Sequence, residues 1–121
     1  MIKVLIADDQ ELIRESLKIV LGANEDMEVT GIAENGEEVL SQIKKEKPDV
    51  ILMDIRMPEV NGYEATEAIR QMSATVPIIA LTAFAYEEDR QKIMQSGFTD
   101  FLTKPISSRI LLGKLESLKK I

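Results

Sequence analysis

Hydrophobic residues along this chain alternate between two rhythms. Short apolar runs occupy Ile2 to Ala7, Met27 to Ala33, Val50 to Asp54, Val76 to Leu81 and Thr99 to Leu102, each about the length of a strand. Between them, apolar residues recur at the spacing of one helix face. Leu12, Ile13, Leu17, Val20 and Leu21 form the first stripe, with Gly22 placed to end it. Val39, Leu40 and Ile43 form the second, which Pro48 halts. Ala65, Ala68, Ile69 and Met72 form the third. A fourth helix is predicted from Tyr86 to Ser96, with Gly97 just beyond as its C-cap, and Ile110, Leu111, Leu115 and Leu118 mark the last.

Strand and helix thus alternate five times, without a long linker, a low-complexity tract or an internal repeat. This pattern implies an α/β fold, a parallel sheet with helices on both faces. The first, third and fourth strands read as near-continuous apolar runs, as strands covered on both sides should. Ligands of such folds bind beyond the carboxyl ends of the strands, where strand order reverses.

Composition narrows the chemistry. The 121 residues suit one domain, and a net charge of -6 argues against a nucleic-acid surface, which needs clustered Lys and Arg. With no cysteine, disulfides and thiolate zinc sites are excluded. With no histidine, so are His-based triads and the commonest transition-metal ligand. No apolar run approaches the ~20 residues that span a bilayer, and the MIKVLIADD start lacks a signal-peptide cleavage pattern. The expectation is a cytoplasmic protein.

The strand ends carry the chemistry. Asp8 and Asp9 close the first strand, Asp54 the third, Thr82 and Ala83 the fourth, and Lys104-Pro105 follow the fifth. Each has an ordinary explanation by itself. Asp8 or Asp9 would cap the first helix, Asp54 would cap a turn opened by Met57-Pro58, Thr82 suits a strand, and Lys104 suits a solvated surface. Together they differ, because crowded carboxylates repel unless a cation joins them. Mg²⁺ fits, since it takes one or two carboxylates, keeps several waters and binds phosphate oxygens. A carboxylate beside a metal and an ammonium can accept a phosphoryl group, giving an aspartyl phosphate paired with Lys104 and Thr82.

The ordered set VLIADD, PDVILMDIRMP with NG, PIIALTA and FLTKP resembles the receiver domain of two-component response regulators across essentially the whole chain. The resemblance implies a flavodoxin-like (βα)5 fold with strand order 2-1-3-4-5, as a single receiver over 1-121 with no output domain in the chain. It implies Asp54 as phosphoacceptor and Asp9 as direct Mg²⁺ ligand, with Asp8 acting through a metal-bound water and the carbonyl of Arg56 as a main-chain ligand. Thr82 and Phe101 match the switch pair, Lys104 the phosphate-pairing lysine, and the Lys104-Pro105 bond is expected cis. The implied donor is a histidine kinase or histidine phosphotransfer protein, or a small donor such as acetyl phosphate. Slow self-hydrolysis would follow, without turnover of a substrate. The implied readout is a downstream protein or output domain, and the implied state a monomer or weak phosphorylation-dependent dimer. Arg56 and Phe84, bulky where they border the phosphate in relatives, predict a long-lived aspartyl phosphate.

The first half, VLIADDQELIRESLKIVL with MEVTGIAENGEE, looks like receivers of helix-turn-helix regulators. The second, GYEATEAIRQ and PIIALTAFAYEEDRQKIMQSGFTDFLTKPIS, looks like receivers of hybrid sensor kinases. Such a mixture suits a natural intermediate or a splice near the third strand. Among competing readings, a haloacid dehalogenase-type phosphotransferase needs Asp-x-Asp-x-Thr after strand one, where this chain has DDQEL. A flavodoxin needs a phosphate cradle there, which an acid pair repels. A pseudo-receiver that only binds partners does not need the full acidic set with Thr82 and Lys104.

Overall fold

The computed structural model describes residues 1–57, 59–73, 75–83 and 87–118. Pro58, Phe84, Tyr86 and Lys119-Lys120-Ile121 therefore lie outside the described residues. Five strands, β1 (Ile2–Ala7), β2 (Met27–Ala33), β3 (Val50–Asp54), β4 (Ile78–Thr82) and β5 (Asp100–Thr103), alternate with five helices. These are α1 (Glu11–Gly22), α2 (Gly36–Lys45), α3 (Gly62–Met72), α4 (Glu87–Gln95) and α5 (Ser108–Leu118). The strands form one parallel sheet in the order β2-β1-β3-β4-β5.

Because side chains alternate along a strand, the sheet feeds two cores. On one face Val4, Ile6, Leu52, Ile79 and Leu81 pack with Leu17 and Leu21 of α1 and Leu111 and Leu115 of α5. On the other, Leu5, Ile51, Met53, Ile78 and Ala80 meet Val39 of α2, Ala65 and Ile69 of α3 and Ile93 of α4. Every residue of β3 and β4 is buried, as their unbroken apolar runs predict.

Several expectations need correction. Leu12, Met72 and Ile110 are 78%, 50% and 48% exposed, so they lie off the core-facing stripes. Leu17 and Leu21 face the sheet with Ile13 and Val20 packed beside them, and Leu12 stands one position, or about 100°, round the helix from Ile13. The fourth strand begins at Ile78 rather than Val76. Val76 donates its N–H to the Ser73 hydroxyl, and Pro77 has no N–H to give to a ladder. The fifth begins at Asp100 and runs to Thr103; Thr99 instead donates to the Ile78 carbonyl and accepts the Ile78 N–H on its hydroxyl. Neither aspartate caps α1. Gln10 is its N-cap and makes no side-chain cap bond, while Asp8 Oδ1 accepts the Gln10 N–H at 2.8 Å within the preceding turn.

Other boundaries follow local chemistry. Asn61 and Glu64 form a reciprocal capping box at the start of α3, and Asn35 caps α2 by accepting the Glu38 N–H. Gly97, at φ +103°, follows α4 in the left-handed region that glycine enters without penalty. In β2 the pairing with β1 slips by one: Val4 lies opposite Val29 but Leu5 opposite Gly31, leaving Thr30 as an extra residue.

Candidate phosphoryl-transfer site

The sheet delivers its polar residues to one edge. Val4, Leu5, Ile6 and Ala7 of β1 pair with Val50, Ile51, Leu52 and Met53 of β3, so Asp8 and Asp54 each follow a matched pair, Ala7 and Met53. Carboxylate oxygens of Asp8, Asp9 and Asp54 all lie within 4.8 Å of one another. Asp8 is fully buried, Asp54 is 6% exposed, and Asp9 opens to solvent. The Lys104 ammonium stands 3.1 Å from Asp8 Oδ2 and 3.4 Å from Asp54 Oδ1. Lys104 follows β5 and precedes a cis peptide bond to Pro105, and its backbone N–H donates to the Thr82 carbonyl at 2.7 Å. Thr82, 6% exposed, lines the same cavity as Asp9 and Asp54.

These contacts leave the acids under-compensated. Burial, reinforced by the negative charge of Asp8, pushes the Asp54 carboxyl up from 3.8 to about 6; Lys104 and the Arg56 N–H oppose the rise. Asp8 Oδ2 lies in ion-pair range of Lys104 yet accepts no hydrogen bond. A buried carboxylate oxygen without a hydrogen bond is costly. Three oxygen-donor carboxylates, one with an orphaned oxygen, are a donor set that suits a hard divalent cation such as Mg²⁺. Such an ion would fit among Asp8, Asp9 and Asp54.

The sequence-predicted residues Asp8, Asp9, Asp54, Thr82 and Lys104 therefore meet at one place. Arg56 is exposed and lines the cavity, while Phe84 lies outside the described residues. Phe101 sits half-buried on β5 against the α2–α4 core, with the Arg90 guanidinium 5.6 Å from its ring centroid.

Other contributors escaped a reading by chemical type. Arg14 of α1 donates to the Asp8 carbonyl at 2.8 Å, fixing the backbone that carries the acid pair. Gly62 opens α3 against the end of β3, its N–H donating to the Ile55 carbonyl at 2.8 Å. A cavity of about 670 Å³ extends from the acids past Asn61 and Tyr63 to Asp89 and Lys92 of α4. A helix-phase reading of α4 would have shown Asp89 and Lys92 sharing one side, three residues apart.

The response regulator receiver domain family matches residues 4–116. This chain belongs to that family. The receiver is 37% identical over 108 residues to the transcriptional regulatory protein LnrK of Bacillus subtilis, covering 89% of this chain and 49% of LnrK. It is 40% identical over 115 residues to the sensor protein GacS of Pseudomonas syringae, covering 90% of this chain and 12% of GacS. The chain thus spans about half, or less, of these curated relatives. Chemotaxis protein CheY4 of Vibrio cholerae superposes with a TM-score of 0.86 at 34% identity, covering 98% of both chains. The flavodoxin-like receiver fold and its place in two-component signalling are thereby settled, and the dehalogenase and pseudo-receiver readings are not favoured. No helix among the described residues is long and apolar enough to cross a membrane.

Proposed function

We propose that this receiver accepts a phosphoryl group on Asp54 from a phosphohistidine of a kinase or phosphotransfer protein. The observation that carries the reading is the Asp54 carboxylate, buried at the end of β3, beside two other acids and 3.4 Å from the Lys104 ammonium. An Asp54 oxygen attacks phosphorus, the P–N bond breaks, and the imidazole leaves with the electron pair. The chain has no histidine, so the donor ring comes from another protein or another part of a longer one.

Asp9, Asp54 and the Arg56 carbonyl, with Asp8 in support, would hold Mg²⁺, which would supply positive charge to the phosphoryl oxygens. The chain's own residues do the rest. Lys104 pairs with a phosphoryl oxygen as a point charge, and the Thr82 hydroxyl donates to another. Burial makes a naked Asp54 carboxylate costly, so the Lys104 ammonium and a bound cation have to offset its charge before and after transfer. Drawing Thr82 toward the phosphate opens room for Phe101 to turn inward, altering the surface of α4, β5 and α5. Throwing such a switch takes about 5.5 kcal/mol, and two or three charge-assisted hydrogen bonds at about 1.5–3 kcal/mol each are adequate. A downstream protein or output domain reads that surface, in a cytoplasmic setting.

Acetyl phosphate with Mg²⁺ should yield a one-phosphate adduct by mass spectrometry, abolished in Asp54→Asn and by metal chelation. An adduct that survives Asp54→Asn overturns the assignment.

A further inference from the structure

The cavity that holds Asp54 is larger than a phosphoryl group needs, and its outer wall belongs to α3 and α4. On that wall the Lys92 ammonium stands 4.5 Å from the centroid of the Tyr63 ring. Tyr63 is itself fixed edge-on against buried Phe98, with centroids 5.9 Å apart and planes at 81°. The ring thus gives an exposed lysine a preferred seat, since a cation over an aromatic face is attracted by the ring quadrupole. Asp9, Asp54 and Asp89 line the same cavity, with Arg56 and Lys92 as its lining cations, so an anionic small molecule approaching Asp54 depends on those cations to offset the acids. Lys92 is the cation that α4 contributes to this wall.

We propose that Lys92, seated on Tyr63, contacts the part of a small phosphodonor that is not transferred, and selects for acyl phosphates. The proposal rests on Asp54 being the acceptor. In transfer from an acyl phosphate, the bond from Asp54 Oδ to phosphorus forms while the acyl O–P bond breaks. The electron pair stays on the departing oxygen, and a carboxylate leaves without any proton transfer. Negative charge therefore grows on the leaving group, opposite the attacking Asp54 oxygen and in the cavity that Lys92 also lines. A cation there lowers the energy of that charge in the transition state and attracts the dianionic donor beforehand. Phosphoramidate, already protonated on nitrogen, loses neutral ammonia, and phosphohistidine, protonated on its free ring nitrogen, loses neutral imidazole; neither leaving group carries negative charge in the transition state for Lys92 to attract.

The test compares second-order rates of Asp54 phosphorylation from acetyl phosphate and from phosphoramidate. Lys92→Met keeps an apolar stem over Tyr63 without the charge, Lys92→Glu reverses the charge, and Lys92→Arg retains it. With acetyl phosphate, Lys92→Met should slow the reaction about two- to fivefold and Lys92→Glu about tenfold, as a partly screened charge allows. Lys92→Arg should restore the parental rate, the deficits should shrink at high salt, and phosphoramidate rates should change less than about twofold. Equal losses with both donors, or an unchanged acetyl phosphate rate in Lys92→Glu, would overturn the role of Lys92. Failure of the underlying reading looks different: parent protein forming no adduct, or an adduct that persists in Asp54→Asn.

Discussion

A methyl group on Gly62 would sit 2.6 Å from the Asp54 carbonyl oxygen and 2.8 Å from the Ile55 Cα. Both neighbours are backbone, so nothing nearby can swing aside. Gly62→Ala should push the end of β3 away from α3, costing about 1–3 kcal/mol in urea unfolding and slowing Asp54 phosphorylation with it. Asp54 itself couples stability to pH. Its carboxyl titrates near 6 in the fold against 3.8 in an ordinary setting, so between those values the metal-free fold holds a proton that the unfolded chain has released. Stability from this group therefore falls as pH rises through that window, and is fully reduced above it. Asp54→Asn should be more stable than the parent at pH 7 in chelator, by on the order of 1–3 kcal/mol, with the advantage gone below about pH 4. At Arg56, on the cavity wall, Arg56→Asn should shorten the aspartyl phosphate lifetime by admitting water; unchanged decay would place the side chain outside the hydrolytic path. Acids, hydroxyl and lysine were legible in the sequence because their chemistry shows in their type. Gly62 showed only as part of the NG motif and not in its role, since it matters for the space it leaves, and Lys92 was not legible, since only the folded helix sets it over Tyr63.

Among the elements, α3 is tied to its surroundings by one side chain. Arg70 donates to the Gly97 carbonyl at 2.8 Å and, from another nitrogen, to the carbonyls of Val76 at 2.8 Å and Ser73 at 3.2 Å. It thereby joins the end of α3, the entry to β4 and the turn after α4. Arg70→Met should cost about 1–3 kcal/mol, because these carbonyls lose a charged donor, and amide exchange should quicken around Gly97 and Thr99. Exchange that quickens only near Ser73 would confine the tie to α3. The strands β1, β2 and β3 matched their apolar runs residue for residue, because acids mark the boundaries, Asp8 after β1, Asp26 and Glu34 around β2, and Asp49 and Asp54 at β3. The later strands drifted by one or two residues, because Pro77 and the Thr99 hydroxyl decide where pairing starts, and apolar content does not report that. The helix stripes were right in place and too broad in width. Leu12, Met72 and Ile110 are apolar yet face solvent, which composition alone cannot separate from burial.

For the whole molecule, the parallel order concentrates acid at one end of the sheet. Its overall charge of -6 adds to the local crowding, so divalent cation and fold should be thermodynamically linked. Mg²⁺ should raise the melting temperature, approaching about 2.7 kcal/mol of added stability at a hundredfold excess over its dissociation constant. Asp9→Asn should blunt the response, and Mg²⁺ without effect on unfolding would separate the acidic cluster from metal binding. The lateral edge of the sheet at β2 has its own safeguard. β2 is an outermost strand, and Thr30 puts its two halves out of step. A straight strand from another molecule could match the bonding groups before that residue or after it, but not both. Sideways growth into stacked aggregates is thus discouraged along this flank by a single surplus amino acid.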